Sequence, residues 1–196
     1  SYAVYARKGF FELCAVSLIN LGVISVTGII AKNGGKSKPV TLKIYSIMLC
    51  IFTLFLIATA LSKMVMYIDE YGLTQLRVYT TWFMILCAII FVLIIIKEIN
   101  FDFRIEKWIT VFFTVMFAIL CFSRPDALIA KYNIEMYNSG KLENPDYNSI
   151  TEMSDDAVLE YVKSYPDSYD DKNFKYRKNN NISSFLLNKA ISDYSD

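Results

Sequence analysis

The sequence predicts an all-α protein: a polytopic transmembrane bundle of four membrane helices, followed by a short helical C-terminal tail module. Three observations carry this. The stretches 13–31, 44–62, 78–96 and 108–122 are apolar on every face and contain no charged residue. A soluble core helix needs only an apolar stripe, whereas about 20 wholly apolar residues cross a bilayer. The composition is 55% hydrophobic, above the roughly 45–50% apolar content of a soluble domain. Finally, the net charge of +1 conceals a division. Residues 1–122 hold 11 Lys/Arg against 6 Asp/Glu, net +5, and residues 123–196 hold 9 against 13, net −4. The predicted organisation is therefore a membrane region, 1–122, and an acidic helical tail, 123–196.

The first membrane helix, about 13–31, is approached by a charged and aromatic segment in which Arg7 and Lys8 can snorkel and Phe10 and Phe11 suit the interface. Asn20 is its most polar interior residue, expected to hydrogen-bond a neighbouring helix rather than bind a substrate. Two glycines, a proline and three lysines then form a turn. The second helix, about 44–62, ends at Lys63, and a polar stretch, 67–77, separates it from the third, about 78–96. Tyr79 and Trp82 mark one interface and Trp108 the other. The fourth is short, and Ile105 with the stems of Arg104 and Lys107 extends it to about 105–122. Because the loop after the first helix holds Lys32, Lys36 and Lys38 and no acid, it is expected to face the cytoplasm, with the tail outside.

Pro125 stands at the first position of a new helix, with Asp126 in its first turn. Leu128, Ile129, Tyr132 and Met136 give it an apolar face, and Gly140 ends it. A second tail helix opens at Ser154-Asp155-Asp156, with Val158, Leu159, Val162 and Tyr165 apolar, and stops at Pro166. Residues 167–181 read as low-complexity linker. A third helix, near 183–191, presents Phe185, Leu186 and Ile191. Three short helices make a small surface-docked module rather than a large core. Ser1 is not an initiator Met and no signal peptide follows. The chain is accordingly expected to come from a longer protein with further membrane helices upstream.

Many chemistries are excluded from these residues. There is no histidine, hence no His-based triad, haem ligand or proton shuttle. No nucleophile elbow, P-loop or dinucleotide fingerprint occurs, and no basic face suits a nucleic acid. The absence of charge from the apolar stretches argues against a proton- or ion-coupled carrier. Cys14, Cys50, Cys87 and Cys121 fall one per stretch and never as C-x-x-C. Lying at different depths, they are read as small apolar residues rather than as a metal or redox centre. No catalytic residue, cofactor or metal is assigned.

One candidate site remains. If the helices alternate in direction, Arg7, Lys8, Glu12, Asp69, Glu70, Arg77, Arg124 and Asp126 share one membrane rim. Four acids and four bases there can bind a charged headgroup, act as acid–base groups, or hold a hard cation at Asp69 and Glu70. The alternative is a solvated, mutually neutralising rim. Adjacent helical residues point about 100° apart, so Asp69 and Glu70 need not converge.

The segments Tyr5-Ala6-Arg7-Lys8-Gly9-Phe10-Phe11-Glu12-Leu13, Tyr71-Gly72-Leu73-Thr74-Gln75-Leu76-Arg77 and Pro125-Asp126-Ala127-Leu128-Ile129-Ala130-Lys131-Tyr132-Asn133-Ile134, with Ser154-Asp155-Asp156-Ala157-Val158 in the tail, resemble the C-terminal portion of a bacterial multi-pass membrane family, domain of unknown function 4173. Arg124 stands where that family suggests an Asn before the Pro. The resemblance implies a bacterial cytoplasmic membrane protein and a longer parent chain, and it supplies no activity. The functional expectation is a non-enzymatic scaffold or partner-binding subunit. Its partners are the lipid bilayer and either upstream helices of the same parent chain or a membrane partner protein. An enzyme or lipid/envelope-precursor handler using Glu12, Asp69, Glu70 and Arg77 is the alternative, and a transporter component the third.

Overall fold

The computed structural model describes the backbone of residues 2–33, 39–100, 102–142, 153–165 and 181–195. Seven helices and no strand occur among the described residues. They are α1 (Tyr2–Asn33), α2 (Val40–Tyr71), α3 (Gln75–Ile99), α4 (Ile105–Phe122), α5 (Pro125–Asn138), α6 (Asp155–Ser164) and α7 (Ile182–Ser195). Phe10–Ile29 of α1 and the whole of α2, α3 and α4 are long and apolar enough to cross a membrane. The chain is a multi-pass membrane protein.

The fourth membrane helix has the bounds expected from sequence, whereas α1 and α2 run well past theirs. Loss of hydropathy marks where lipid ends, not where backbone hydrogen bonding ends. Lys63 to Tyr71 carries no Gly or Pro, so α2 continues through this polar stretch until Gly72, whose φ is +73°. The expected turn at residues 34–38 and the linker at 167–180 lie outside the described residues.

Two compact units are formed: Ser1–Tyr67 with Tyr79–Ala118, and Ile68–Val78 with Ile119–Asp196. In the first, the buried positions of α2 are Ser46, Cys50, Thr53, Ile57, Ala60 and Met64, alternating by four and three as in a knobs-into-holes seam. Phe10, Ser17 and Ile24 of α1 are buried seven apart, and Met84, Cys87 and Phe91 continue the pattern on α3. Small and weakly polar side chains recur in these seams because close backbone approach, not apolarity, distinguishes a helix contact from a lipid contact. Asn20 Nδ2 donates to Thr53 Oγ1 at 2.9 Å, the interhelical role expected of it. Trp82, expected in the interfacial belt, donates its indole N–H to the Met116 carbonyl at 3.1 Å and meets Phe113 edge-on.

In the second unit, Ala130 and Ile134 of α5 pack with Ala157 and Tyr161 of α6, flanked by Met153 and Tyr165. The apolar face expected for α5 is therefore rotated. Leu128 is exposed, while Ile129, Ala130, Ile134 and Met136 are buried. Apolar size alone selected Leu128, but the small Ala130 is what lets α6 approach. α6 packs with α5 and with α7, and Asp155, Ala157, Val158, Leu159, Tyr161 and Val162 are all buried. α5 ends in a Schellman motif: Lys141 N donates to Met136 O and Gly140 N to Tyr137 O, with Gly140 at φ +72°.

Candidate functional site

Of the eight expected rim residues, Arg7 and Lys8 lie on α1 in a stretch whose side chains are outside the described residues. Glu12 is exposed on α1 in the first unit. Asp69, Glu70, Arg77, Arg124 and Asp126 belong to the second unit, where a polar cluster forms around the turn between α2 and α3.

That turn is held by side chains from other segments. The Asn133 amide of α5 spans Leu73: the Leu73 N–H donates to Oδ1 at 2.7 Å, and Nδ2 donates to the Leu73 carbonyl at 2.8 Å. Both free backbone groups of Leu73 are thus satisfied, which a buried turn requires. The contact is tight enough that a Cβ on Gly72 would come within 2.8 Å of Asn133 Oδ1. Arg77 Nη1 donates to the Gly72 carbonyl and to that of Tyr71 at 3.1 Å, placing a cation at the negative end of the α2 dipole. Asp126 uses both carboxylate oxygens, accepting from Gln75 Nε2 at 2.7 Å and from the Ser154 backbone N–H at 3.3 Å. One residue therefore ties the start of α3 to the approach of α6.

Arg124 ion-pairs with Asp156. The guanidinium hydrogen bond is the main reason the Asp156 carboxyl sits below its ordinary range, and the Ser183 hydroxyl assists. The same pair raises the Arg124 pKa. Arg124 itself is left-handed, φ 49° and ψ 64°, a region that Asn tolerates far better than Arg. Asp69 accepts from the Tyr132 hydroxyl at 3.4 Å. Burial, then the Asp69 charge, pushes the Tyr132 phenol up. Asp69 and Glu70 are both exposed.

A second polar contact lies between α6 and α7. Asp155 is 4% exposed, and its Oδ2 accepts from the Ser184 hydroxyl at 2.6 Å. Its Oδ1 has no hydrogen-bond partner among the described residues. Asn181 caps α7 by accepting the Ser184 N–H at 2.8 Å. The adjoining Ile182 and Phe185 are 80% and 68% exposed.

Charge alone singles out Arg77, Arg124 and Asp126, yet their described contacts cap helix ends and join segments. Sequence reading missed the uncharged residues of the cluster: Gln75 and Ser154, which donate to Asp126, Tyr132, which donates to Asp69, and Asn133, which holds Leu73. A signal was present: three of the four segments that carry the family resemblance, 71–77, 125–134 and 154–158, are the ones these hydrogen bonds join. Among the described residues, no three His, Cys, Asp or Glu side chains converge as a metal site.

No curated protein and no solved structure matches the chain. One family model does, over residues 1–164, and it is described as a domain of unknown function (DUF4153) rather than the 4173 family suggested by resemblance. That span takes in all six membrane and junction helices up to Ser164, together with the hydrogen-bonded cluster at the α2–α3 turn. The chain belongs to the DUF4153 family.

Proposed function

We propose that the chain is a non-enzymatic scaffold or partner-binding subunit of the bacterial cytoplasmic membrane, with α7 as its docking helix. The observation that carries this is the exposure of Ile182 and Phe185 beside an inward-facing Ser184. One side of the helix is anchored by a buried hydrogen bond while large apolar side chains remain uncovered on the other. The partner is a membrane protein or the upstream helices of a longer parent chain. On this reading the lysine-rich, acid-free loop between α1 and α2 faces the cytoplasm and the tail faces outward. Kinship with the 4173 family enters as a shared use of the 71–77 and 125–134 segments.

The test is affinity purification of the full chain from native membranes in mild detergent. A stoichiometric partner is expected with the parent and lost with Ile182→Ser/Phe185→Ser. A partner-free sample from the parent chain overturns the reading. One observation favours a second reading, a lipid or envelope-precursor handler: Asp69 and Glu70 remain exposed, with the Tyr132 phenol against Asp69. On that reading Asp69→Asn or Glu70→Gln abolishes a growth phenotype at unchanged abundance. A loss of abundance instead assigns those charges to structure.

A further inference from the structure

We propose that α7 is a detachable arm, exchanging between a docked position on α6 and a free position from which both of its faces engage a partner. This rests on α7 being the docking helix. One hydroxyl decides between the two positions. Ser184 Oγ lies 2.6 Å from Asp155 Oδ2 and 2.8 Å from Asn181 Oδ1, and a hydroxyl has a single hydrogen to donate. Docked, it donates to Asp155 of α6. Free, it turns to Asn181, which caps α7 itself and already accepts the Ser184 N–H at 2.8 Å. Leaving α6 therefore strands no donor and keeps the cap that starts the helix.

The docked position is the one with a polar deficit. Asp155 is 4% exposed and its Oδ1 has no hydrogen-bond partner among the described residues. A buried charged oxygen without a donor is costly, and water supplies donors to both oxygens once α7 lifts. Apolar contact offsets only part of this cost. Ser184 is the one buried α7 side chain among the described residues, while Ile182, Phe185 and Leu186 are exposed. By contrast, six of the ten α6 residues are buried, and Ala157 and Tyr161 hold that helix to α5. α7 also follows the residues 1–164 that the family model covers. It can open as a unit while α6 stays folded on α5. Lifting it uncovers the half-buried Leu187 and Ile191, three and seven residues beyond Ser184 on one face. A free α7 thus offers a partner this line in addition to Ile182 and Phe185.

The test is amide hydrogen exchange, read by mass spectrometry, on the full chain in mild detergent, beside affinity purification of the same variants from native membranes. In the parent chain the amides of 186–192 are expected to exchange about 100-fold faster than those of 159–164. Ser184→Ala should speed exchange in α7 by a further tenfold or about that, and leave α6 unchanged. It should also retain at least the parent's share of partner, because opening is the binding-competent step. A fixed docking platform requires the opposite, so loss of the partner in Ser184→Ala overturns the arm. A common exchange rate for α6 and α7, moving together in Ser184→Ala, overturns it as well. A parent chain without a partner sinks the docking-helix reading instead, and the two exchange rates then decide the opening by themselves.

Discussion

At the scale of single residues, the turn between α2 and α3 depends on one amide and one missing side chain. Asn133→Ala leaves the N–H and C=O of Leu73 without their partners. A loss of about 1–3 kcal/mol is expected, read as a lower unfolding temperature in detergent and faster amide exchange at 72–76. Gly72→Ala adds a positive-φ penalty of about 1–2 kcal/mol to the clash with Asn133 Oδ1. The double variant should therefore cost less than the sum of the two, as residues in contact do. Arg124 carries a comparable backbone strain, offset by Asp156. Arg124→Gly should then unfold at a higher temperature than Arg124→Ala, since both lose the ion pair and Gly alone is relaxed at φ 49°. The ion pair also sets a pH dependence. The folded Asp156 pKa is depressed, so its contribution is complete above the ordinary carboxylate value of about 3.9. It is lost as pH falls through the lower folded value. An acid titration of the second unit's exchange protection should shift to higher pH in Arg124→Ala.

At the scale of elements, what was legible in the sequence depended on which force shapes each one. The bounds of α4 could be read because its apolar run is closed on both sides, by the charged residues from Arg104 to Lys107 and by Ser123-Arg124-Pro125. The continuation of α2 to Tyr71 could not, because hydropathy reports solvent and a helix stops only where its backbone must. The seam of α2 was hidden for a related reason: when every face is apolar, periodicity vanishes, and only Ser46, Thr53 and Ala60 trace the buried line. In the tail the rotation of α5 followed from Ala130, whose small size reads as neutral in a hydropathy pattern. The α6–α7 contact rests on Ser184 and Asp155, which look like ordinary polar residues. Removing the hydroxyl with Ser184→Ala strips a buried carboxylate of its described donor. It should cost about 3 kcal/mol, whereas Ser183→Ala, nearer the surface, should cost less. Limited proteolysis between α6 and α7 would separate the two outcomes.

At the scale of the whole molecule, the second unit is not the tail alone. Residues 68–78 belong to it together with everything from Ile119 onward. Cutting the chain after Ser123 therefore removes Asp126, Tyr132 and Asn133 from the α2–α3 turn, and membrane abundance is expected to fall. Truncation after Tyr165 spares those contacts and should leave abundance near that of the full chain, by immunoblot of membrane fractions. Six of the eight rim charges were legible because charge is rare in this chain's first 122 residues, and Arg124 and Asp126 because they flank Pro125 at a helix start. Their described hydrogen-bond partners were not, because an amide and a phenol carry no comparable signal. The unequal exposure of the thiols has a practical outcome. Cys50 and Cys87 are buried and Cys14 is half-buried, while Cys121 stands exposed in the last turn of α4. An impermeant maleimide added to intact cells thus has one native target, and whether it reacts before or only after lysis reports which side of the bilayer the junction of α4 and α5 occupies.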